Sequence, residues 1–236
     1  MRQKRLDPQD KQITERLMQA AEFVFAEKGV DKATLREITG RANVNLAAVS
    51  YYFGSKSDLT LAVFSQLSTR LNKQRLVDLE DCLARAKAAK CPPELKAILE
   101  IFIRPYVDTG ESGRLFARLV MQHRIAPTDL TRAIIKRHFD PMAKRFIEAI
   151  SLACPHLEPN DFFWRYAFMI GTVVYSVADL SIRDRTAQLS EGKIDAGNAR
   201  DFRDAMVNFL IGGMMGAREV QAPVSKARSR RLAATS

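Results

Sequence analysis

The chain has 236 residues, of which 47% are apolar and 27% charged, and its formal net charge is +10. This composition is ordinary for a soluble globular protein and argues against both an intrinsically disordered class and a membrane class. The length allows one large domain or a small domain joined to a larger one. The basic balance favours a polyanionic partner, either nucleic acid or an anionic surface.

The beginning of the chain and its cysteines both predict a cytoplasmic protein. The first ten residues, MRQKRLDPQD, contain no apolar segment that could act as a signal peptide. Cys82, Cys91 and Cys154 are scattered and odd in number, with no Cys-x-x-Cys pair. They are therefore predicted to be reduced thiols that form neither a disulfide framework nor a zinc site.

One apolar run, FFWRYAFMIGTVVYSVADL from Phe162, approaches the length of a membrane span. Arg165 lies inside this run, and Asp179 lies near its end. Because charged side chains are costly inside a bilayer, a helix buried between other helices explains the run better. The sequence therefore predicts no membrane partner.

Apolar residues recur at helical spacing along nearly the whole chain, which predicts an all-α protein, and the first two helices have clear end signals. The first helix is predicted over residues 10–28, with Gly29 as its C-terminal cap. Thr34 and Glu37 form the capping box of a short second helix. Asn43 can end that helix because asparagine tolerates a left-handed backbone.

The third predicted helix is the short segment LAAVSYYF, with Asn45 as its N-cap and Gly54 as its terminator. Ser55 and Asp58 then give a capping signal for a long fourth helix. The first three helices occupy about fifty residues, and only a few residues separate the second from the third. This arrangement is typical of a helix-turn-helix unit.

The rest of the chain is predicted to form a larger helical region. A polar stretch over residues 84–93 ends in two prolines and predicts a break after the fourth helix. Further helices are predicted over residues 95–106, 115–120, 130–152 with a kink at Pro141, 161–183 and 198–218.

The exposed surface of the third helix matches what the major groove of DNA requires of a reading helix. Leu46, Ala47 and Ala48 would present a shallow apolar surface to thymine methyl groups, and Ser50 would bond to a base edge. Val49 would face inward and hold the helix on its neighbours.

Contacts with DNA phosphates are predicted around the same helix, from the hydroxyls of Tyr51 and Tyr52, from Lys56, and from Thr34 and Arg36 on the second helix. Purely structural helix pairs have similar spacing, and a Tyr-Tyr-Phe run can be simple core, so spacing alone leaves both interpretations open. The full set of predicted DNA-binding residues is Thr34, Arg36, Asn45, Leu46, Ala47, Ala48, Ser50, Tyr51, Tyr52 and Lys56.

The segment ATLREITGRANVNLAAVSYYFGSKSDL resembles the signature segment of the TetR family of bacterial transcription regulators. The resemblance implies an N-terminal helix-turn-helix and a larger C-terminal helical domain that binds a ligand and forms a dimer. The chain would then divide into a flexible basic arm at 1–9, a DNA-binding domain at 10–56, an effector-binding and dimerisation domain at 57–218, and a disordered basic tail at 219–236.

The resemblance also implies how such a chain would act. A homodimer that pairs through the last two helices would bind a pseudo-palindromic operator in double-stranded DNA, and a small hydrophobic effector would release it, so the default output would be repression. Gly171, Gly212, Gly213 and Gly216 in these helices call for a packing reason, such as close helix approach. Where many members have Gly and Tyr this chain has Asn43 and Ser50, so the operator sequence does not follow.

Three segments, NVNLAAV with YYFGSK, DFFWRYAFMIGTVVYS and NFLIGGMMGA, resemble the branch of the family that responds to long-chain fatty acids or their CoA thioesters. Within the larger region, Arg165 and Arg104 lie in apolar segments and could neutralise an acidic head group. Aromatic stripes are more often plain core, and such arginines are more often surface cations with buried stems. The predicted ligand-binding residues are Phe102, Tyr106, Phe116, Leu119, Phe139, Phe146, Arg165 and Phe168.

Two other classes of protein, an enzyme and an architectural DNA-binding protein, explain the sequence less well than a ligand-responsive regulator does. An enzyme would have to use His123, His138 or His156 with Cys154, but the sequence has no metal-ligand spacing and no acid placed to orient a histidine. No catalysis, cofactor or metal is therefore predicted. An architectural DNA-binding protein would explain the charge and the basic tail, but it would not explain a large apolar helical region.

Overall fold

The computed structural model describes residues 7–195 and 197–216, without the side chains of residues 180–183. Within these residues the chain is all-α, as the sequence predicts. The helices are α1 (Pro8–Lys28), α2 (Leu35–Ala42), α3 (Ala47–Tyr52), α4 (Lys56–Ala88), α5 (Leu95–Val107), α6 (Gly110–Ile125), α7 (Asp129–His138), α8 (Asp140–Ala153), α9 (Pro159–Ala178), α10 (Leu180–Leu189) and α11 (Ala199–Met215). Of the predicted flexible arm over residues 1–9, residues 1–6 lie outside the described residues, whereas Pro8 and Gln9 belong to α1. The predicted tail over residues 219–236 also lies outside the described residues.

The ends of the first four helices follow from their caps. Asp7 starts α1 two residues earlier than predicted, because its Oδ1 accepts a hydrogen bond from the Asp10 backbone N–H at 2.7 Å. Gly29 ends α1 with a φ of 81°, a conformation that glycine adopts without strain. Ser55 caps α4 by accepting a hydrogen bond from the Asp58 N–H at 3.1 Å, as predicted.

A small core joins the first three helices to the beginning of α4. Its central side chains are completely buried: Leu17, Ala21, Phe25, Ile38, Val49, Leu59 and Val63. The 33-residue α4 continues beyond this core and packs against α5, α6, α7 and α8. One helix therefore belongs to the packing of both halves of the molecule.

The predicted kinked helix over residues 130–152 was wrong, because the structure has two helices there. The α7 helix ends at His138, and α8 begins at Asp140 with Pro141 in its first turn. Proline is well tolerated in a first turn, where its missing N–H has no intrahelical partner. Pro141 therefore marks the start of a helix rather than a kink inside one.

The predicted helix over residues 161–183 was also wrong in its extent. The α9 helix ends at Ala178, Asp179 has an extended backbone with ψ of 101°, and α10 follows from Leu180. Arg118 donates a hydrogen bond from Nε to the carbonyl oxygen of Ala178 at 3.2 Å, which gives that terminal carbonyl a partner. The helix end thus depends on a side chain that is distant in sequence.

The cap of α2 predicts a pH dependence of stability. Glu37 accepts hydrogen bonds from the Lys28 ammonium at 2.6 Å and the Thr34 backbone N–H at 2.9 Å, and these contacts lower the pKa of Glu37 to about 2. Since an unfolded glutamate has a pKa of about 4.3, Glu37 stabilises the fold above that pH, and this stability is lost as the pH falls toward 2. Denaturant unfolding should therefore show a Glu37→Gln variant less stable than the native chain at pH 7, with a smaller difference at pH 3.

Glu15→Gln is the matched control, since Glu15 is an exposed glutamate on the neighbouring helix. Its stability relative to the native chain should change little between the two pH values. A Glu37→Gln deficit of equal size at pH 7 and pH 3 would contradict the assigned role of the carboxylate.

Candidate nucleic-acid interface

The position of α2 is fixed at both ends by side-chain hydrogen bonds. At its start, the Thr34 Oγ1 accepts a hydrogen bond from the Glu37 N–H at 3.3 Å, which completes the predicted capping box. At its end, Arg16 of α1 donates hydrogen bonds to the carbonyl oxygens of Ala42 and Asn43, the second at 2.7 Å. A guanidinium is well suited to bind two neighbouring carbonyls because its donors form a rigid fork.

The turn between α2 and α3 has the predicted chemistry. Asn43 has a φ of 50° and ends α2 in the left-handed conformation. The Asn45 Oδ1 then accepts a hydrogen bond from the Ala47 N–H at 2.9 Å, so Asn45 caps the first turn of α3. Gly54 ends this segment with a φ of 90°.

The orientation of α3 leaves the predicted reading surface open. Val49 is completely buried against the core, whereas Leu46 is 45% exposed and Tyr51 is 65% exposed. The predicted DNA-binding residues that are exposed are Thr34, Arg36, Asn45, Leu46, Ala47, Ser50 and Tyr51, and those that are half-buried are Ala48, Tyr52 and Lys56. Seven of the ten predicted residues are thus exposed on α2, on α3 or immediately before these helices.

Tyr52 has a different hydrogen-bond partner from the phosphate that the sequence predicts. Its hydroxyl donates to the Asp10 Oδ1 at 2.7 Å, which links α3 to α1. This hydrogen bond to the carboxylate raises the pKa of Tyr52 to about 12. Tyr51 packs edge-on against Tyr52 at 4.8 Å between ring centres and is 65% exposed, so it stays a predicted phosphate ligand.

Two other predicted phosphate ligands also have local contacts. The Thr34 hydroxyl lies 3.0 Å from the Glu37 Oε2, to which it donates a hydrogen bond within the cap. Lys56 is half-buried, and its Nζ donates to the carbonyl oxygen of Asp31 at 3.4 Å. Both side chains therefore stabilise the local structure, and a bound phosphate would compete with these hydrogen bonds.

Sequence reasoning missed two arginines that shape this surface. Arg16 supports the end of α2, and the Arg41 guanidinium lies 3.3 Å from the centre of the Phe23 ring on α1. A cation over an aromatic face is a favourable pairing, although an exposed one is weak. The signal for Arg41 was its place in the last turn of α2, where a basic residue complements the helix dipole.

The predicted ligand-binding residues divide into two groups in space. Six of them are buried in one cluster between α5, α6 and α8: Phe102, Tyr106, Phe116, Leu119, Phe139 and Phe146. Within it, the rings of Tyr106 and Phe116 are stacked with centres 5.2 Å apart, and the Phe102 and Phe146 rings meet edge to face at 5.2 Å.

Arg165 and Phe168 lie apart from this cluster, and their assignment to the ligand site stays a prediction. Phe168 is 66% exposed on the outer face of α9, whereas Tyr166 and Met169 on the inner face are buried. Arg165 binds the carbonyl oxygens of Gly213 and Gly216 at the end of α11, the second at 2.7 Å. Helical periodicity explains this, because Arg165 and Phe168 share one face of α9, whereas Tyr166 and Met169, each one position further along, share another.

The candidate catalytic residues are dispersed. His138 lies 3.3 Å from the Ser65 Oγ, and His123 packs against Phe64, where burial lowers the pKa of His123. Cys154 is completely buried, and this burial raises the pKa of its thiol. Across the part of the chain that the structure describes, no group of three or more His, Cys, Asp or Glu side chains is placed to hold a metal ion.

Comparison with known proteins agrees with this architecture. A family model described as "Bacterial regulatory proteins, tetR family" matches residues 17–63, which cover most of α1, all of α2 and α3, and the beginning of α4. A second model, described as "Tetracyclin repressor-like, C-terminal domain", matches residues 100–213. The chain belongs to the tetR family of bacterial regulatory proteins.

The chain is similar in sequence to two curated transcriptional regulators. The chain is 28% identical over 145 residues to the HTH-type transcriptional dual regulator CecR of Shigella flexneri, covering 59% of this chain and 64% of CecR. It is 30% identical over 135 residues to an HTH-type transcriptional repressor of Mycobacterium tuberculosis, covering 49% of this chain and 69% of that protein.

The fold is similar to that of the fatty acid degradation regulator FadR from Bacillus halodurans, with a TM-score of 0.57. At 16% identity, over 86% of this chain and 99% of FadR, the likeness shows the shared fold alone. Among the described residues, no helix has both the length and the apolar character needed to cross a membrane.

The support of α2 by Arg16 leads to a stability prediction. An Arg16→Gln variant loses the fork to the Ala42 and Asn43 carbonyls, so we expect its free energy of unfolding to fall by about 1 kcal/mol and amide exchange in α3 to quicken. Denaturant unfolding and hydrogen exchange measure the two effects. Lys11→Gln removes the same charge from an exposed site on α1 and should have little effect. If Arg16→Gln and Lys11→Gln were equally stable, the hydrogen bonds from Arg16 to the two carbonyls would not contribute to stability.

Proposed function

We propose that this TetR-family protein is a dimeric, effector-responsive transcription repressor that reads a pseudo-palindromic operator with α3. In the dimer, two copies of α3 enter successive major grooves, about 34 Å apart along the DNA. An effector bound among the helices of the larger region shifts the protein toward a state that does not fit this spacing. Repression follows because a dimer on the promoter excludes polymerase.

The observation that carries the DNA-binding proposal is the exposed apolar and hydroxyl-bearing face of α3. Leu46, Ala47 and Ser50 are exposed on a helix whose inner side is anchored by the completely buried Val49. A surface with short apolar side chains permits close approach to base edges, and Tyr51 and Arg36 flank it as phosphate ligands. A helix pair with a purely structural role would have no need for this exposed face.

The dimer proposal is supported by an apolar surface on α9 and α11. Trp164, Phe168 and Phe209 are each about two-thirds exposed, at 67%, 66% and 66%. A Cβ atom added at Gly212 or Gly213 would meet nothing within 4 Å, so no contact among the described residues explains these glycines. A second copy packed closely on this surface supplies the reason, since a two-fold interface uses the same surface twice.

The effector proposal is supported by the contacts that join the two halves. Glu22 of α1 accepts hydrogen bonds from Arg70 of α4 at 2.8 Å and from Ser112 of α6 at 3.1 Å. Movement of α4 or α6 around an effector would therefore act on α1 and on the helices that α1 supports. Such coupling requires an effector that binds the DNA-incompetent state more tightly, since equal affinity shifts nothing.

The effector is a small hydrophobic compound, for which the buried aromatic cluster around Phe102 and Phe116 is the candidate environment. Long-chain fatty acids and their CoA thioesters are the first candidates, because FadR of Bacillus halodurans shares the fold and is a regulator of fatty acid degradation. An unrelated hydrophobic effector is the alternative within the same family.

Fluorescence anisotropy on DNA from upstream of the protein's own gene tests the function, at fixed salt and with or without each candidate effector. Tight, sequence-selective binding that an effector releases supports the whole proposal. Selective binding that no candidate effector releases would support a DNA-binding regulator but exclude these compounds as its effectors. Weak binding that is equal on all sequences would favour the architectural alternative.

Arg36 gives a sharper test of the interface. An Arg36→Gln variant should reduce the slope of log K for DNA binding against log salt by about 0.9. The variant has lost one phosphate contact, so its binding releases fewer counterions. Lys87→Gln, at the far end of α4, removes the same charge from an exposed position and should leave the slope unchanged. Equal slopes for Arg36→Gln and the native chain would remove Arg36 from the interface.

The dimer surface gives a second test. A Phe209→Asp variant places a charge in the proposed apolar interface, so sedimentation at micromolar concentration should show a monomer and operator affinity should fall at least tenfold. Ile125→Asp is the control, since Ile125 is 77% exposed at the end of α6. A native chain that sediments as a monomer, or a Phe209→Asp variant that stays dimeric, would remove this surface from the proposal.

A further inference from the structure

The inner face of α4 contains four buried polar residues, Thr60 near its start and three more in its middle. Ser68 is 0% exposed, Asn72 is 3% exposed and Arg75 is 1% exposed. Their spacing of four and then three positions places them on one face of the helix. A fully buried arginine is rare unless its charge is paired, so Arg75 requires an explanation.

The contacts of Arg75 leave one edge of its guanidinium unused. Its Nη1 donates to the Asn72 Oδ1 at 3.0 Å and lies 3.4 Å from the Met142 Sδ. Its Nε and Nη2 are buried and have no hydrogen-bond partner among the described residues. No carboxylate of residues 7–195 and 197–216 forms an ion pair with Arg75.

Aromatic rings surround the guanidinium. Its central carbon lies 4.5 Å from the ring centre of Tyr106, 4.9 Å from that of Phe102 and 6.0 Å from that of Phe116. Such rings attract a cation through their faces, and this attraction lowers the cost of burying the charge. They are weak acceptors for N–H groups, so the cation contacts do not replace hydrogen bonds for Nε and Nη2.

A second unpartnered polar group belongs to the same region. The Tyr166 hydroxyl is buried without a hydrogen-bond partner among the described residues, and its ring lies 5.9 Å from the Phe102 ring. Burial raises the pKa of Tyr166, while the nearby charge of Arg75 acts to lower it. The hydroxyl is therefore a neutral donor within electrostatic reach of the guanidinium.

The unused pair of donors defines the chemistry that would satisfy it. Nε and Nη2 form the side edge of a guanidinium, and two parallel N–H groups there match the two oxygens of a carboxylate. The same chain shows this pairing on its surface, where Arg145 donates to Glu80 from Nε at 2.5 Å and from Nη2 at 2.7 Å. Among the described residues, no carboxylate binds Arg75 as Glu80 binds Arg145.

We propose that Arg75 binds the carboxylate of a monocarboxylic acid with an apolar body, and that Tyr166 donates a further hydrogen bond to it. A carboxylate has the single negative charge that neutralises one guanidinium, whereas a phosphate monoester would bury an unpaired second charge. The rings of Phe102 and Phe116 contact the apolar body. This inference rests on the proposed effector site and narrows its ligand to free acids rather than thioesters.

Binding at Arg75 also provides a route to the DNA-binding surface. Arg75 is 19 residues beyond Lys56, which starts α4, so a helix carries the connection over about 28 Å. The site is closed, and Met142 is the adjacent side chain that rearranges most easily because methionine is flexible and unbranched. An acid that displaces it changes the packing between α4 and α8.

Isothermal titration calorimetry on the full chain without DNA tests the inference, with octanoate and 4-phenylbutyrate as probes and their primary amides as uncharged controls. At least one acid should bind the native chain at least tenfold more tightly than its amide. Arg75→Met should lower the affinity for that acid at least tenfold, and Tyr166→Phe should lower it a few fold. Arg104→Met is the matched control, since Arg104 is a surface cation paired with Asp78 at 2.7 Å.

Three outcomes would overturn the assignment: neither acid binds, acid and amide bind equally, or Arg75→Met keeps the native affinity for the acid. If Arg75→Met does not fold, the comparison of acid with amide on the native chain and the Tyr166→Phe variant still decide the matter. Failure of operator binding in the anisotropy experiment leaves this result intact, because no DNA is present in the calorimeter. Acid binding without DNA release would retain the site and remove its regulatory role.

Discussion

The burial of one face of α4 is the constraint on which both halves of the molecule depend. Leu59 and Val63 near its start complete the core under α2 and α3, while Leu67 and Leu79 belong to the core of the larger region. Because protein interiors are densely packed, a helix that contributes to two cores cannot shift in one without disturbing the other. This shared helix makes communication between the two regions physically reasonable.

Side chains that are distant in sequence then fix the surfaces on either side of α4. Arg16 binds the last carbonyl oxygens of α2, Glu22 links α1 to α4 and α6, and Arg165 supports the end of α11. These groups are partly exposed and have partners within the chain. Arg75 differs from them, because its charge is buried and two of its three guanidinium nitrogens have no hydrogen-bond partner among the described residues. A site with that imbalance is a candidate for a ligand of opposite charge.

Local rules account for what the sequence predicted well. The capping box of Thr34 and Glu37, the left-handed Asn43 and the cap at Asn45 depend on interactions within four residues, so they can be read directly from the sequence. The exposed face of α3 followed from the same reasoning, because periodicity distinguishes Val49 from its neighbours. Boundaries that depend on partners elsewhere in the chain, such as the end of α9 beside Arg118, did not follow.

The sequence by itself determined the all-α class, the helix-turn-helix and the surface that α3 presents, because each results from short-range hydrogen bonds and helical periodicity. Only the tertiary structure decided which of the apolar and charged residues of the larger region meet. It separated Arg165 and Phe168 from the aromatic cluster and brought Arg75 into it. The physical reason is that packing between helices depends on crossing geometry and on which faces are buried together, and neither is encoded in the spacing of any one helix.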